Sequence, residues 1–73
     1  MTERLDLRGV RCPLNWAKAK VRLEQLPRDT TLELVLDDPK AVRDIPRAAE
    51  AHGYVVAEVT AIEGQLWHIR IMT

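Results

Sequence analysis

Leu5 and Leu7 alternate with Asp6 and Arg8, the period-two signature of a strand with one buried face, and Gly9 ends the run. A loop through Val10 and Arg11 leads to Cys12 and Pro13. Proline has its φ preset and needs no backbone donor, so it suits a first helical turn, and the spacing predicts a helix over residues 13–26. Within it Trp16, Ala19, Leu23 and Leu26 form one stripe, while Lys18, Arg22 and Gln25 fall away from it. Pro27, Arg28 and Asp29 break the pattern. Leucines at 32, 34 and 36 then alternate with Glu33, Val35 and Asp37, which predicts a second half-buried strand closed by Asp37, Asp38 and Pro39. Because Pro46 would cost a hydrogen bond inside a helix, the next regular helix is expected to start near Asp44 as its cap and to end at His52, with Gly53 as the left-handed stop. Residues 54–62 place Val55, Ala57 and Val59 on one face. Glu63 and Gly64 make a tight turn, and residues 65–72 return with Trp67, Ile69 and Ile71 aligned.

The order βαβαββ predicts an α+β fold, a two-layer α/β sandwich with a four-stranded mixed sheet and two helices on one face. Strands separated by helices call for right-handed parallel crossovers, and the final hairpin adds one antiparallel strand. Clean alternation on each strand implies that helices cover only one sheet face. The other would show Glu33, Val35, Val56, Glu58, Leu66, His68 and Arg70, a mixed surface whose Val35, Val56 and Leu66 could seat a partner. No composition shift or internal repeat divides the chain, so residues 1–73 read as a single domain.

Composition narrows the function. Seventy-three residues leave no room for a two-domain enzyme that closes over its substrate, so chemistry is expected at the surface. Eleven Lys and Arg balance eleven Asp and Glu. That neutrality lacks the basic excess of a nucleic-acid-binding domain. Charged residues through the first dozen positions and short apolar runs predict no signal core and no membrane span. The lone Cys12 has no internal partner and suits a reducing, cytoplasmic setting.

Cys12 is the residue with chemistry to offer. Helix N-termini present amide donors without intrahelical partners and about half a positive charge. A thiolate there is favoured over a thiol, and Arg8 and Arg11 add cationic bias, so the sequence predicts a lowered thiol pKa and a nucleophile that needs no general base. The alternative is a small buried apolar residue, as free cysteines often are, but Cys12 falls outside both the strand alternation and the Trp16 stripe. Lys18 and Arg22, further along the helix, are candidates for a docking face. His52 at a helix C-terminus and His68 pointing from a strand to solvent need no catalytic role. Cys12, His52 and His68 have no metal-ligand spacing, so neither metal nor cofactor is expected. Asp37 and Asp38 suit a helix-capping turn, and Trp16 and Trp67 suit the core.

The segment Leu5-Asp6-Leu7-Arg8-Gly9-Val10-Arg11-Cys12-Pro13, followed by Asp37-Asp38-Pro39, Asp44-Ile45-Pro46 and Gly53, resembles the TusA/SirA family of small sulfur-carrier proteins. The resemblance implies a fold like the C-terminal domain of translation initiation factor three, with strand order 1-2-4-3. It also implies that Cys12 carries a persulfide received from a cysteine desulfurase or rhodanese-like donor and relays it to a downstream acceptor protein. Family relatives serve tRNA thiolation, molybdenum-cofactor assembly or sulfur oxidation. The family motif is Cys-Pro-x-Pro, whereas this chain has Asn15 at the second proline, which restores a backbone donor and adds an amide near the helix start; Tyr54 likewise replaces a common histidine. A shuttle that offers its thiol to two partners in turn is expected to be a monomer without direct contact to nucleic acid. Two other classes remain open at this level: a redox-sensing or regulatory module using Cys12 without sulfur transfer, and nucleic-acid binding through the open sheet, which neutral charge and the lack of an aromatic platform oppose.

Overall fold

The computed structural model describes residues 2–11 and 13–73; Met1 and Cys12 lie outside the described residues. Six elements follow in chain order: β1 (Thr2–Asp6), α1 (Leu14–Gln25), β2 (Thr31–Leu36), α2 (Pro39–Ala51), β3 (Val55–Ala61) and β4 (Trp67–Met72). The sheet order is β1-β2-β4-β3, with β1 parallel to β2 and β4 antiparallel to both of its neighbours. The expected α+β architecture and strand order are therefore present.

One sheet face carries the core. Leu32, Leu34 and Leu36 of β2 pair with Ile71, Ile69 and Trp67 of β4, and directly opposite residues share a face. Onto this surface α1 packs Ala19 and Leu23, and α2 packs Ala41, Ile45 and Ala49. These are steps of four along each helix, so each buries a single narrow stripe. Trp16 and Leu26 flank the α1 stripe as partly buried neighbours, and the Trp16 ring lies 5.7 Å from that of His52.

The second helix starts five residues before the expected Asp44. Asp38 is its cap, with a carboxylate oxygen 3.0 Å from the Lys40 amide, and Pro39 occupies the first turn. Pro46 is consequently inside the helix. Its penalty is real, about 3 kcal/mol or more for a proline in a helix interior. Here it is offset because Ala41, Ile45 and Ala49 all need helical spacing to reach the sheet together. The expected end is observed, with His52 as the final cap and Gly53 at φ +85°.

The third strand differs in its faces. Val56, expected on the open side, pairs with Ile71 and packs on the core, whereas Val55 pairs with Met72 and is 61% exposed. A bulge between Val56 and Glu58 inserts Ala57 as an extra residue, after which Val59 faces Ile69. Strict alternation cannot follow such an insertion. The open face is also less open than expected. Glu33 is only 5% exposed because Arg4 and Arg70 lie across it from the neighbouring strands. His68 does not simply point to water, since its Nδ1 sits 3.7 Å from a Glu33 oxygen. Register places Arg4, Glu33, Arg70 and Glu58 in one row across all four strands, with charge alternating in sign.

Candidate functional site

The candidate site is the loop that carries the chain from β1 into α1. Parallel pairing continues one step beyond β1, where the Leu7 amide donates to the Val35 carbonyl at 2.8 Å and the Leu7 side chain enters the core. The chain then turns back on itself, the Val10 amide donating to the Leu7 carbonyl at 3.1 Å. Gly9 takes φ +79° inside this turn. No atom lies close enough to exclude a β-carbon there, so the glycine is required by the backbone conformation and not by crowding.

Two side chains from elsewhere hold the loop. Asp37, just past β2, accepts the Gly9 amide with both carboxylate oxygens at 3.0 Å. Asn15, fully buried in the first turn of α1, donates from Nδ2 to the Val10 carbonyl at 3.4 Å and accepts the Trp16 amide on Oδ1 at 2.7 Å. Its own backbone amide donates to the Arg11 carbonyl at 3.1 Å, a bond that proline at this position could not make. The early amides of α1 are therefore not all free: those of Asn15, Trp16 and Ala17 are already engaged. Pro13 precedes the helix as its cap residue and stays exposed.

The cationic candidates separate into two groups. Arg8 folds onto Asp6 with three contacts between 2.7 and 3.1 Å, and Arg22 reaches across to Glu3 at 2.7 Å, tying α1 to β1. Arg11 and Lys18 are exposed and make no ion pair among the described residues. Lys18 and Arg22 border a groove floored by Leu5, Ala17 and Val21. An open cleft of about 530 Å³ lies on the other side of the loop, between Gly9, Val10 and Arg11 and the α2 start at Asp37, Asp38, Pro39 and Lys40. The Cys12 candidate itself lies outside the described residues; its chain neighbour Arg11 lines that cleft. Sequence reasoning assigned Asp37 to a cap and missed its reach to Gly9. The available signal was the doubled Asp37-Asp38, since one cap needs only one of them.

The engaged carboxylates respond to acid. Hydrogen bonding from Arg8 holds Asp6 down from its ordinary 3.8 to about 2, and the Arg22 hydrogen bond lowers Glu3. Burial pushes Glu33 up, but hydrogen bonds from Arg4 and Arg70 with the nearby Arg4 and His68 charges leave it below its ordinary value. Each group is more acidic folded than unfolded. Its stabilisation is therefore complete above the unfolded pKa and disappears as pH falls through the folded one. Thermal melts are expected to show Tm falling between pH 4.5 and about 2. Asp6→Asn should flatten the lower part of that slope, and a Tm unchanged across the window would contradict the pairing.

The model of the family described as Sulfurtransferase TusA matches residues 3–72. The chain belongs to the TusA family. Two curated relatives carry the printed name "Putative sulfur carrier protein". One, from Archaeoglobus fulgidus, is 36% identical over 69 residues, covering 94% of this chain and 78% of that protein. The other, YedF of Escherichia coli, is 36% identical over 56 residues, covering 77% of this chain and 73% of that protein. A crystal structure of a SirA-like protein from Desulfitobacterium hafniense superposes with a TM-score of 0.86 at 22% identity, over 99% of this chain and 96% of the other. That likeness concerns the fold.

Proposed function

We propose that this TusA-family protein is a sulfur carrier whose Cys12 holds the sulfur as a persulfide. The observation that carries the reading is a family match over residues 3–72 that takes in the Cys12-Pro13 pair, at the end of a loop pinned from two sides. In the proposed cycle the Cys12 thiolate attacks the outer sulfur of a donor persulfide. The new S–S bond forms as the donor's own S–S bond breaks, leaving Cys12-S-SH and a donor thiolate. An acceptor nucleophile then takes the terminal sulfur and Cys12 leaves as thiolate. A low thiol pKa favours both halves, since it raises the thiolate fraction for loading and makes a better leaving group for delivery.

The donor is a cysteine desulfurase or rhodanese-like protein, and the acceptor is a protein of a thiolation, molybdenum-cofactor or sulfur-oxidation pathway in the cytoplasm. Exposed Arg11 and Lys18 would steer acidic partner surfaces toward the loop. Arg8 and Arg22 have a smaller part, because their guanidinium groups already face Asp6 and Glu3. The protein acts as a monomer, a shuttle rather than a complete catalyst.

The test is to incubate the protein with a cysteine desulfurase and cysteine and to measure its intact mass. A gain of one sulfur atom, reversed by dithiothreitol and mapped to Cys12, is expected. No gain under conditions that load an authentic carrier would favour a redox-sensing role for the same thiol.

A further inference from the structure

The loop before Cys12 is held more firmly than an ordinary surface turn requires. Gly9, Val10 and Arg11 are consecutive, and each gives one backbone group to the two elements on either side. The Gly9 amide goes to Asp37 beyond β2, while the Val10 and Arg11 carbonyls go to the side chain and backbone of Asn15 in α1. Asp37 spends both of its carboxylate oxygens on one amide, leaving the capping of α2 to Asp38. Asn15 is a buried polar residue with each side-chain group satisfied, which is costly to build and specific once built.

Neither residue belongs to the apolar cluster, and α2 has its cap in Asp38 without them. What they share is the segment they fix.

We infer that Asp37 and Asn15 are positioning residues for the reaction at Cys12, clamping residues 9–11, the segment that leads into it, from opposite sides. The inference rests on the carrier reading above for the reaction it assists. Transfer between two persulfides needs the attacking sulfur in line with the bond that breaks, and a misplacement of about 1 Å can slow an oriented reaction by about a hundredfold. The clamp is asymmetric in chemistry. Asp37 holds the loop through a charge-assisted bond, while Asn15 holds it through neutral ones. Asp37→Asn keeps an acceptor for Gly9, whereas Asp37→Ala removes it.

The experiment compares wild type with Asp37→Ala, Asp37→Asn, Asn15→Ala and the control Val56→Ala, which thins the core at β3, remote in sequence and sheet order from the loop. Each is checked for folding by circular dichroism. Two quantities are then measured: the rate of sulfur loading from a cysteine desulfurase, and the pH midpoint of Cys12 alkylation by iodoacetamide. Asp37→Ala and Asn15→Ala are expected to load about tenfold or more slowly, with Asp37→Asn recovering most of the rate. The alkylation midpoint should move upward in Asn15→Ala, which loosens the loop without altering charge. Asp37→Ala also removes an anion, which works the opposite way, so that variant is read by its loading rate. Val56→Ala should lower Tm without either change. Wild-type loading in folded Asp37→Ala, or losses no larger than those of Val56→Ala, would overturn the clamp. Failure of the wild type itself to load overturns the carrier reading instead. Alkylation then decides the clamp alone: a raised midpoint in Asn15→Ala supports it, and an unchanged one overturns it.

Discussion

Cys12→Ser is expected to abolish sulfur loading completely while leaving the chain folded. Sulfur chemistry sets the size of the effect. An ordinary cysteine thiol ionises near pH 8.5, so some thiolate is present at neutral pH even without help, whereas a serine hydroxyl supplies essentially none. The loss should be total because Cys12 is the sole cysteine of the chain and no second thiol can inherit the sulfur. The measurement is the intact mass after incubation with a desulfurase and cysteine, with far-ultraviolet circular dichroism as the folding control. A sulfur adduct that persists in the serine variant would place the chemistry on some other group and end the assignment.

Leu34→Ala is expected to leave most of the protein unfolded at room temperature. Leu34 is fully buried at the middle of β2, flanked by Leu5 on β1 and Ile69 on β4. Replacing a buried leucine by alanine costs about 3–5 kcal/mol, transfer and cavity contributions together. A single core of this size supplies only about 3–5 kcal/mol in total, and no disulfide is available as a reserve. The substitution therefore removes most or all of the stability. The contrast is Leu14→Ala at a position 61% exposed, which should shift stability by no more than about 0.5 kcal/mol. Urea titrations of the three proteins decide it. A cooperative transition in Leu34→Ala with wild-type midpoint would mean that the sheet centre is packed otherwise.

The parts of the fold that could be read in the sequence are those in which one local rule acts unopposed. The three leucines of β2 and the Trp67-Ile69-Ile71 series alternate cleanly because both strands are central and their core face is continuous. The start of α2 was hidden since Pro46 obeys two rules at once, the local penalty of an interior proline and the tertiary gain of an Ala41-Ile45-Ala49 stripe. The tertiary gain wins. The faces of β3 were hidden by the single extra residue at Ala57. Burial of Glu33 depends on Arg4 and Arg70, 29 and 37 residues away along the chain, so no window around Glu33 contains its cause. Strand order followed from the family resemblance, because nothing local says that β4 inserts between β2 and β3.

The candidate site divides the same way. Gly9, Cys12 and Pro13 mark a strand-to-helix turn by residue type alone. Asp37 reaching Gly9 spans 28 residues, and only the folded sheet brings the two together. Asn15 was legible as an added amide beside the helix start, but its burial and its grip on Val10 come from the packing of α1. Arg8 and Arg22 were candidates by charge, and their commitment to Asp6 and Glu3 is visible only in three dimensions.

The row of alternating charges across the open face bears on how the strands find one another. A slip of β4 by one residue would turn Ile69 and Ile71 outward, and the apolar pattern forbids it. A slip by two preserves that pattern, so hydrophobic matching alone cannot detect the error. It would set Met72 or His68 opposite Glu33 in place of Arg70, removing a cation from a carboxylate already largely screened from water. Even-numbered misalignments are thus rejected by electrostatics and odd-numbered ones by water, two independent proofreaders acting on a single sheet.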